Sequence, residues 1–562
     1  MTMETLRQHC ETRLKDMNKV FVSWELRYRE LGDYVSPGSY QFNVSEHGRG
    51  DKGRSRIINE TATFCLDTLE RGLFDGATNP AMPWLKVKTP FEEMNTKQGV
   101  REWLDAYAER TLEVFRRSNF YAEIPSLFAD LGLYGTSACL VEKDPDTIIR
   151  LEPLIMGSYR LGMDGKRRVN ALGRTFMKSR RELVDQFGDQ CIQVTRNAVA
   201  TGNGADEDVE VCHLIEPNPD YRKGSPFNKH MKFRSVYWEK AAGEGEFLRV
   251  GGYTVFPVVA PRWRVRGGNV YGESQTTTVI GTVKELQLLE KEYLTILKKI
   301  GSPPLTAPTT MKTKLISQLS GSTTFHDATA GTAKIEPMFQ IQSAPLQDIE
   351  EKIARCEDRI RKGMFTDLFL MLANLPNTTE RTAEEMRLRL KEKVQTLGPI
   401  LVRLFDEVLD KIVEIVTEIM ADPEFAGLVP PAPPELQGMP LNVEYVSELA
   451  TAMKLARVGL IESTVGFVMN LGLQQAQMQQ QPTALDKLNL DKAIDKFGEY
   501  SGIPAAILND EETAGQIRQG RAQQQAQQAE AQQMAQQAAT VKDLANAPAD
   551  TDSVLSRMGG AA

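Results

Sequence analysis

An α+β chain, mainly helical, is what three features of this sequence predict. Between Thr276 and Met420 it runs a long amphipathic helix, a Pro/Gly/Thr-rich excursion, a second long helix, a short polar loop and a third helix. From Thr136 to Val265 the pattern changes to short alternating segments bounded by Gly, Pro and Asp, as antiparallel strands are. Ahead of both, residues 1–133 carry apolar side chains mostly at steps of three and four, the spacing of one helix face.

Taken in order, residues 1–35 predict a helix with Leu6, Leu14, Met17, Phe21, Trp24 and Tyr28 on one side, stopping near Gly32 and Ser36-Pro37-Gly38. A polar, basic loop follows, HGRGDKGRSR (47–56), and then helices over 57–73, 97–117 and 119–133. The strand region offers SACLVEK, TIIRLEPLI, DVEVCHLIEP, FRSVYWEK and GGYTVFPVVAPRWRV. The first rod places Val279, Val283, Leu286, Leu289, Tyr293, Leu297 and Ile300 on one stripe. The second repeats the pattern with Leu346, Ile349, Ile353, Cys356, Ile360, Met364 and Leu368. Each should span roughly 35 Å at ~1.5 Å per residue. Pro303-Pro304, Pro308 and Gly331 keep residues 301–345 from continuing either helix. Thr382 and Glu385 have capping-box spacing and open the third helix, in which Gly398-Pro399 predicts a kink. Beyond it come a stiff PPAPP connector (430–434), a strand LNVEYV, a helix over 447–471, and Gln-rich stretches flanking a compact piece at 485–508. The residues after about Asn546 read as disordered.

At 562 residues the chain is too long for a single core. Its net charge of −8 argues against a conventional duplex-coating protein, whose affinity comes from clustered Lys and Arg. The six Cys are scattered without a CxxC pair and are expected as free, buried thiols. No apolar run approaches the ~20 residues that span a bilayer, and the polar N-terminus is no secretory signal, so synthesis and assembly in cytosol are expected.

Signals for chemistry are poor. There is no GxxxxGK[ST] loop; GMDGKRR (162–168) lacks its first Gly and reads as a turn between strands. HExxH and GxSxG are absent. The five His are isolated apart from Cys212-His213, and neighbours on a strand point to opposite faces, so they cannot share a metal. Glu350, Glu351, Glu384 and Glu385 read as solvated helix faces. No catalytic, cofactor or metal residue is therefore expected, and the chain reads as no enzyme. Two loops stay open between function and plain connection. The basic loop 47–56 is either a phosphate or acidic-partner contact or a surface loop. The loop holding Asn374, Leu375, Asn377, Thr378 and Thr379 is either a polyanion-brushing loop, lacking the Lys and Arg that would hold phosphate, or a simple interhelical turn.

Several stretches, and above all their order, resemble the portal, or head-to-tail connector, proteins of short-tailed bacteriophages. They are NPAMPWLKV (79–87), NFYAEIPSLFADLGLYGTSACLVEKD (119–144), GGYTVFPVVAPRWRVRGGNVYGES (251–274), TERTAEEMRLRLKEKVQTLGPILVRLFDEVLDKIVEI (379–415) and LNVEYVSELATAMKLARVGLIE (441–462). The resemblance implies a virion structural protein forming a ring of about twelve copies at one capsid vertex. Such a ring would conduct double-stranded DNA during packaging and ejection without sequence specificity. Its partners would be the terminase packaging motor, tail adaptor proteins, and the major capsid and scaffold proteins, with assembly in the host cytoplasm, no stable membrane insertion and no cofactor. Residues 1–275 would be N-terminal helices and wing, 276–300 and 346–371 the stem, and 301–345 the clip. Residues 372–381 would be the channel loop and 382–420 the kinked helix. Residues 421–480 would complete the wing, 481–540 would form a helical crown, and 541–562 a disordered tail. Both rods carry charges of both signs beside their stripes; Lys298, Lys299, Arg359, Arg361 and Lys362 are the candidate stem charges. The alternative is a helical tail adaptor or scaffold protein without a DNA channel.

Overall fold

The computed structural model describes residues 3–43, 56–95, 97–225, 227–301, 305–306, 336–337, 344–374, 398–425, 427–436, 438–447, 464–475, 477, 487–501, 514–528, 531 and 534. The chain divides into two compact units, Met1–Met453 and Lys454–Ala562.

In the first unit the N-terminal helix α1 (Met3–Val35) buries Leu6, Cys10, Met17, Phe21, Tyr28, Leu31 and Val35, a row at the expected helical steps. Fully burying an apolar side chain of this size contributes about 1.5–3 kcal/mol, so the row alone explains why the helix docks along its whole length. Helices α2 (Thr61–Thr78), α3 (Gln98–Arg117) and α4 (Phe120–Tyr134) follow. Strand β1 (Leu85–Lys88) lies between α2 and α3.

Two sheets come next. Strands β2 (Ala138–Asp144) and β3 (Ile148–Leu154) form a three-stranded sheet of order β3-β2-β9, where β9 is Val258–Val259. Strands β4 (Tyr159–Met163), β5 (Val169–Ser179), β6 (Asp208–Pro217), β7 (Phe233–Glu239) and β8 (Arg249–Tyr253) form a five-stranded antiparallel meander in sequence order. β4 and β5 are absent from the strands the sequence offers, because Gly162, Gly173 and Arg174 interrupt their alternation. The turn expected at 162–168 is present as the β4–β5 hairpin, with the Asp164 carboxylate accepting from the backbone N–H of Lys166 and Arg168 (both 2.8 Å). The edge of β3 is covered by one side chain. Asn119 donates to the Leu151 carbonyl (2.8 Å) and accepts from its N–H (2.9 Å), as a neighbouring strand would.

The seam between the two sheets is polar. Arg174, buried on β5, donates to Glu152 on β3 (2.6 Å) and to His213 Nδ1 (3.1 Å), and Tyr253 donates to Glu142 on β2 (3.1 Å). His213 lies flat on Tyr237 (3.6 Å) and reaches Ser235 through Nε2 (3.0 Å). Burial, with Arg174 beside it, holds this imidazole well below its usual pKa, so it is neutral and Nε2–H is the donor to Ser235. Cys212 faces the other side of the sheet among Leu6, Cys10 and Trp238, as the strand alternation requires. All six cysteines are free and buried.

After the sheets the chain enters the rods α5 (Gln275–Gly301) and α6 (Ala344–Gly363), then α7 (Thr366–Asn374) and a helix over 398–420, α8, with one π turn at Phe405–Leu409. A two-residue antiparallel pair joins β10 (Leu305–Thr306) to β11 (Glu336–Pro337). The expected strand near 441–446 is β12 (Asn442–Tyr445); it pairs antiparallel with β1, Leu85 opposite Tyr445. Trp84 stacks between Phe120 and Tyr445 (6.0 and 6.4 Å between centroids), and the pairing returns a distant stretch of chain to the N-terminal helices. α2, α3, α4, α8 and the β2–β3 hairpin share the largest apolar core.

Arg262, which follows β9, ties these parts together. Its backbone N–H and Nη2 donate to the two carboxylate oxygens of Glu407 (both 2.8 Å), inside the π turn of α8, and Nη2 also donates to the Arg167 carbonyl (3.0 Å) at the β4–β5 tip. Arg262 is 5% exposed. In the second unit the described elements are helical: 464–475, α9 (Leu490–Ser501) and 514–528, with Arg518 donating twice to Asp491 (2.7 and 2.5 Å). No helix among the described residues is long and apolar enough to cross a membrane.

Two predictions follow from this packing. Glu407→Ala strands the buried Arg262 guanidinium without its carboxylate and should destabilise the first unit by about 2–3 kcal/mol, read as a lower urea midpoint. An unchanged midpoint would show that the clamp carries no stability. The second concerns Asp130 on α4, whose carboxyl is pushed up to about 8 by burial and by Glu70 on α2. A carboxyl held above its unfolded value binds a proton in the folded state first, so stability falls as pH rises from about 4 to about 8. Asp130→Asn should therefore raise Tm by about 2–4 °C at pH 8 and leave it unchanged at pH 4; equal effects at both pH values would contradict the assignment.

Candidate functional site

The sequence directs attention to the two rods and the segments that continue them. α5 and α6 pack side by side and antiparallel. At one end Gln275 donates to the Gly363 carbonyl (2.6 Å); toward the other, Tyr293 donates to Glu350 (2.5 Å), with the Lys352–Glu285 ion pair (3.3 Å) between them. Val279, Val283 and Leu286 of α5 share a core with Cys356, Ile360 and Met364. A Cβ on Gly363 would lie 2.3 Å from the Val279 side chain, so the closest approach of the rods requires glycine there.

The stripe on α5 has two fates. Val279, Val283, Leu286 and Leu289 are buried, but Leu297 and Ile300, with Leu294 beside them, are 40–45% exposed. In a single copy the outer half of the stripe is therefore only partly covered.

The helix expected over 346–371 is two helices. α6 stops at Gly363, Phe365 takes a left-handed conformation (φ 60°), and α7 begins at Thr366. The break lets the chain change cores: Met364 remains with the rods, while Leu368 and Phe369 enter the core of α2, α3 and α4. Phe369 lies where a Cβ on Gly72 of α2 would be, 2.2 Å from its ring, so the helices touch through glycine again. The sequence hides this break, because the steps Cys356, Ile360, Met364 and Leu368 continue a helical stripe through it.

The candidate charges fall into two sets. Lys298 and Lys299 stand exposed at the end of α5, without a carboxylate partner among the described residues. Arg359, Arg361 and Lys362 lie near the end of α6, and because the rods are antiparallel this is about 35 Å away along the axis. Arg361 and Lys362 pair within their helix, with Glu357 (3.4 Å) and Asp358 (2.6 Å); the Asp358 contact raises the Lys362 pKa. Asn374 is the last residue of α7; Leu375, Asn377, Thr378 and Thr379 lie outside the described residues, as does most of the basic loop 47–56. Gly398 and Pro399 open the described part of α8, and 382–397, on the other side of the expected kink, lie outside it. The irregularity seen in α8 is the π turn that presents Glu407 to Arg262, for which the sequence pattern carries no signal. Among the described residues no group of three His, Cys, Asp or Glu is placed to hold a metal ion.

Comparison with known proteins bears on the whole chain. Residues 7–508 match the family described as "Bacteriophage head to tail connecting protein". The portal protein of Salmonella phage epsilon15 is 34% identical over 560 residues, 100% of this chain and 99% of the relative. A probable portal protein of Bordetella phage BPP-1 is 32% identical over 525 residues, 93% of each. Among solved structures, the neck of an empty GTA particle computed with C6 symmetry is similar at 13% identity over 71% of this chain and 86% of its own, with a TM-score of 0.33. On the full-length match and the two relatives, the chain belongs to the bacteriophage head-to-tail connecting, or portal, protein family.

Proposed function

We propose that this head-to-tail connector works as the subunit of a ring at one capsid vertex, through which double-stranded DNA enters and leaves the head. The observation that carries the reading is the match, end to end, to the portal protein of Salmonella phage epsilon15. The rods add a physical argument: a stripe half buried within one copy and half exposed is what side-by-side packing of further copies would complete. In this reading α5 and α6 are the stem, 301–345 the clip that meets the terminase packaging motor or tail adaptor, 372–381 the channel loop, and the two sheets with α1–α4 most of the wing. The helices after residue 480 supply the crown. Capsid and scaffold proteins surround the ring, and it assembles in the host cytoplasm. The subunit performs no hydrolysis of its own; the energy for DNA movement comes from the motor. Lys298 and Lys299, unpaired among the described residues, are the better candidates for a lumen contact, and Arg361 and Lys362, already paired, the weaker ones.

Electron-microscope class averages of the purified protein viewed down the particle axis test the ring. Rings of about twelve copies with a hole wide enough for a DNA duplex are expected; open filaments or solid particles would instead favour a tail adaptor. Deleting Asn374 to Thr378 should leave rings intact while lowering the yield of DNA-filled heads, and normal filling by such rings would remove the channel-loop role.

A further inference from the structure

The five-stranded sheet is electrically polarised along its strands. The β4–β5 and β6–β7 connections, residues 164–168 and 218–232, leave the sheet at the same end, because the meander alternates direction at each strand. They hold seven Lys or Arg against two Asp, a net charge of about +5. With strands ~4.8 Å apart, the two connections are centred about 10 Å from each other. The opposite end receives the β5–β6 and β7–β8 connections, residues 180–207 and 240–248, with seven Asp or Glu against four Lys or Arg. Part of the charge at each end has no ion-pair partner among the described residues: Lys166, Arg167, Arg222 and Lys223 at the basic end and Glu244 at the acidic end, while Asp189, 99% exposed, lies 3.9 Å from Arg196 and Asp185 lies close enough to Arg181 to help raise its pKa.

Both ends also expose large apolar side chains, Tyr221 and Phe227 at the basic end and Val194 at the acidic end. Exposed aromatics beside Arg are enriched in protein contacts, whereas affinity for a duplex backbone comes chiefly from Lys and Arg. The described residues of the β6–β7 connection are tied across it: Asn218 donates to the Lys229 and Met231 carbonyls (2.9 and 2.8 Å), and the Arg222 N–H to the His230 carbonyl (3.0 Å). At the neighbouring tip Arg167 holds a left-handed backbone (φ 63°), a conformation that favours glycine, and its carbonyl is anchored by Arg262.

We propose that the basic end of this sheet docks on the acidic end of the same sheet in the next copy, so that charge complementarity sets the head-to-tail direction of the ring. The inference rests on the ring reading and names the surfaces that would make it. Each copy offers both surfaces, which is the requirement for a heterologous contact, and their opposed positions suit a ring of about twelve, whose subunits turn their two contacting faces about 150° apart. Attraction of this kind steers encounter and fixes orientation more than it supplies affinity.

A charge-swap experiment on the full chain tests it. One variant carries Arg222→Glu, Lys223→Glu and Lys229→Glu; the other carries Asp185→Lys, Asp189→Lys and Glu244→Lys. Circular dichroism first checks that both fold. Each alone should need at least about tenfold more protein than the wild type to assemble in sedimentation velocity. Mixing the two, or combining all six changes in one chain, restores opposite charges at every contact and should restore rings. Either triple variant assembling like the wild type, or a mixture no better than its parts, overturns the proposal. So does a basic-end variant that assembles normally but loses retention of a short DNA duplex, which would assign that end to DNA. Wild-type rings with indifferent variants would reject this contact alone; a wild type that forms no rings would reject the ring reading with it.

Discussion

Arg262 is the residue on which the arrangement of the first unit turns. A guanidinium brought out of water loses hydration worth several kcal/mol and is tolerated only when its donors are met. Here they are met from separate parts of the chain, the Glu407 carboxylate of α8 and the Arg167 carbonyl of the β4–β5 tip. The π turn makes this possible, because the extra residue in the turn changes the direction in which Glu407 leaves the helix. The five-stranded sheet, the helical core and the helix after the rods are thereby held in one geometry. Removing any partner leaves a buried charge behind, which makes the junction selective for this one arrangement.

The rods obey a different constraint. Their inner halves are finished, with Gly363 against Val279 and Phe369 against Gly72 setting approaches that no larger residue would permit. The left-handed Phe365 is the consequence: one straight helix could not bury Met364 with the rods and Leu368 with the helical core. A bulky residue in that conformation costs of order 1–3 kcal/mol, and burying Phe369 on α2 offsets it.

Periodicity made most of this legible. The α1 stripe, α2 to α4, the rods and β6 come straight from apolar spacing, since in each the local pattern and the tertiary contacts agree. Reading failed where tertiary packing outweighed local pattern. β4 and β5 were hidden by glycines and by Arg174, whose charge is answered by Glu152 on the other sheet. The break at Gly363 was hidden by a stripe that continues across it. The outer stripe of α5 is as apolar in the pattern as the inner half yet stays 40–45% exposed in one copy, because periodicity reports that a face is apolar and not what covers it. For the candidate site the legible part was the two rods. The Glu407–Arg262 junction was not, since two residues 145 positions apart leave no local trace.

The exposed outer stripe bounds what α5 could contribute to the proposed assembly. Leu294, Leu297 and Ile300 are already more than half covered, so burying the remainder yields about 1 kcal/mol each, roughly 3 kcal/mol per contact. Association costs an estimated 4–15 kcal/mol before any surplus appears. In the proposed ring these three residues alone would therefore be insufficient to hold neighbouring copies, and other surfaces would have to contribute. In the contact proposed above, the charges at the two ends of the five-stranded sheet, with Tyr221 and Phe227 at the basic one, would supply contact area and direction. A purely apolar contact would be strong but indifferent to register, whereas opposed charges penalise the reversed pairing.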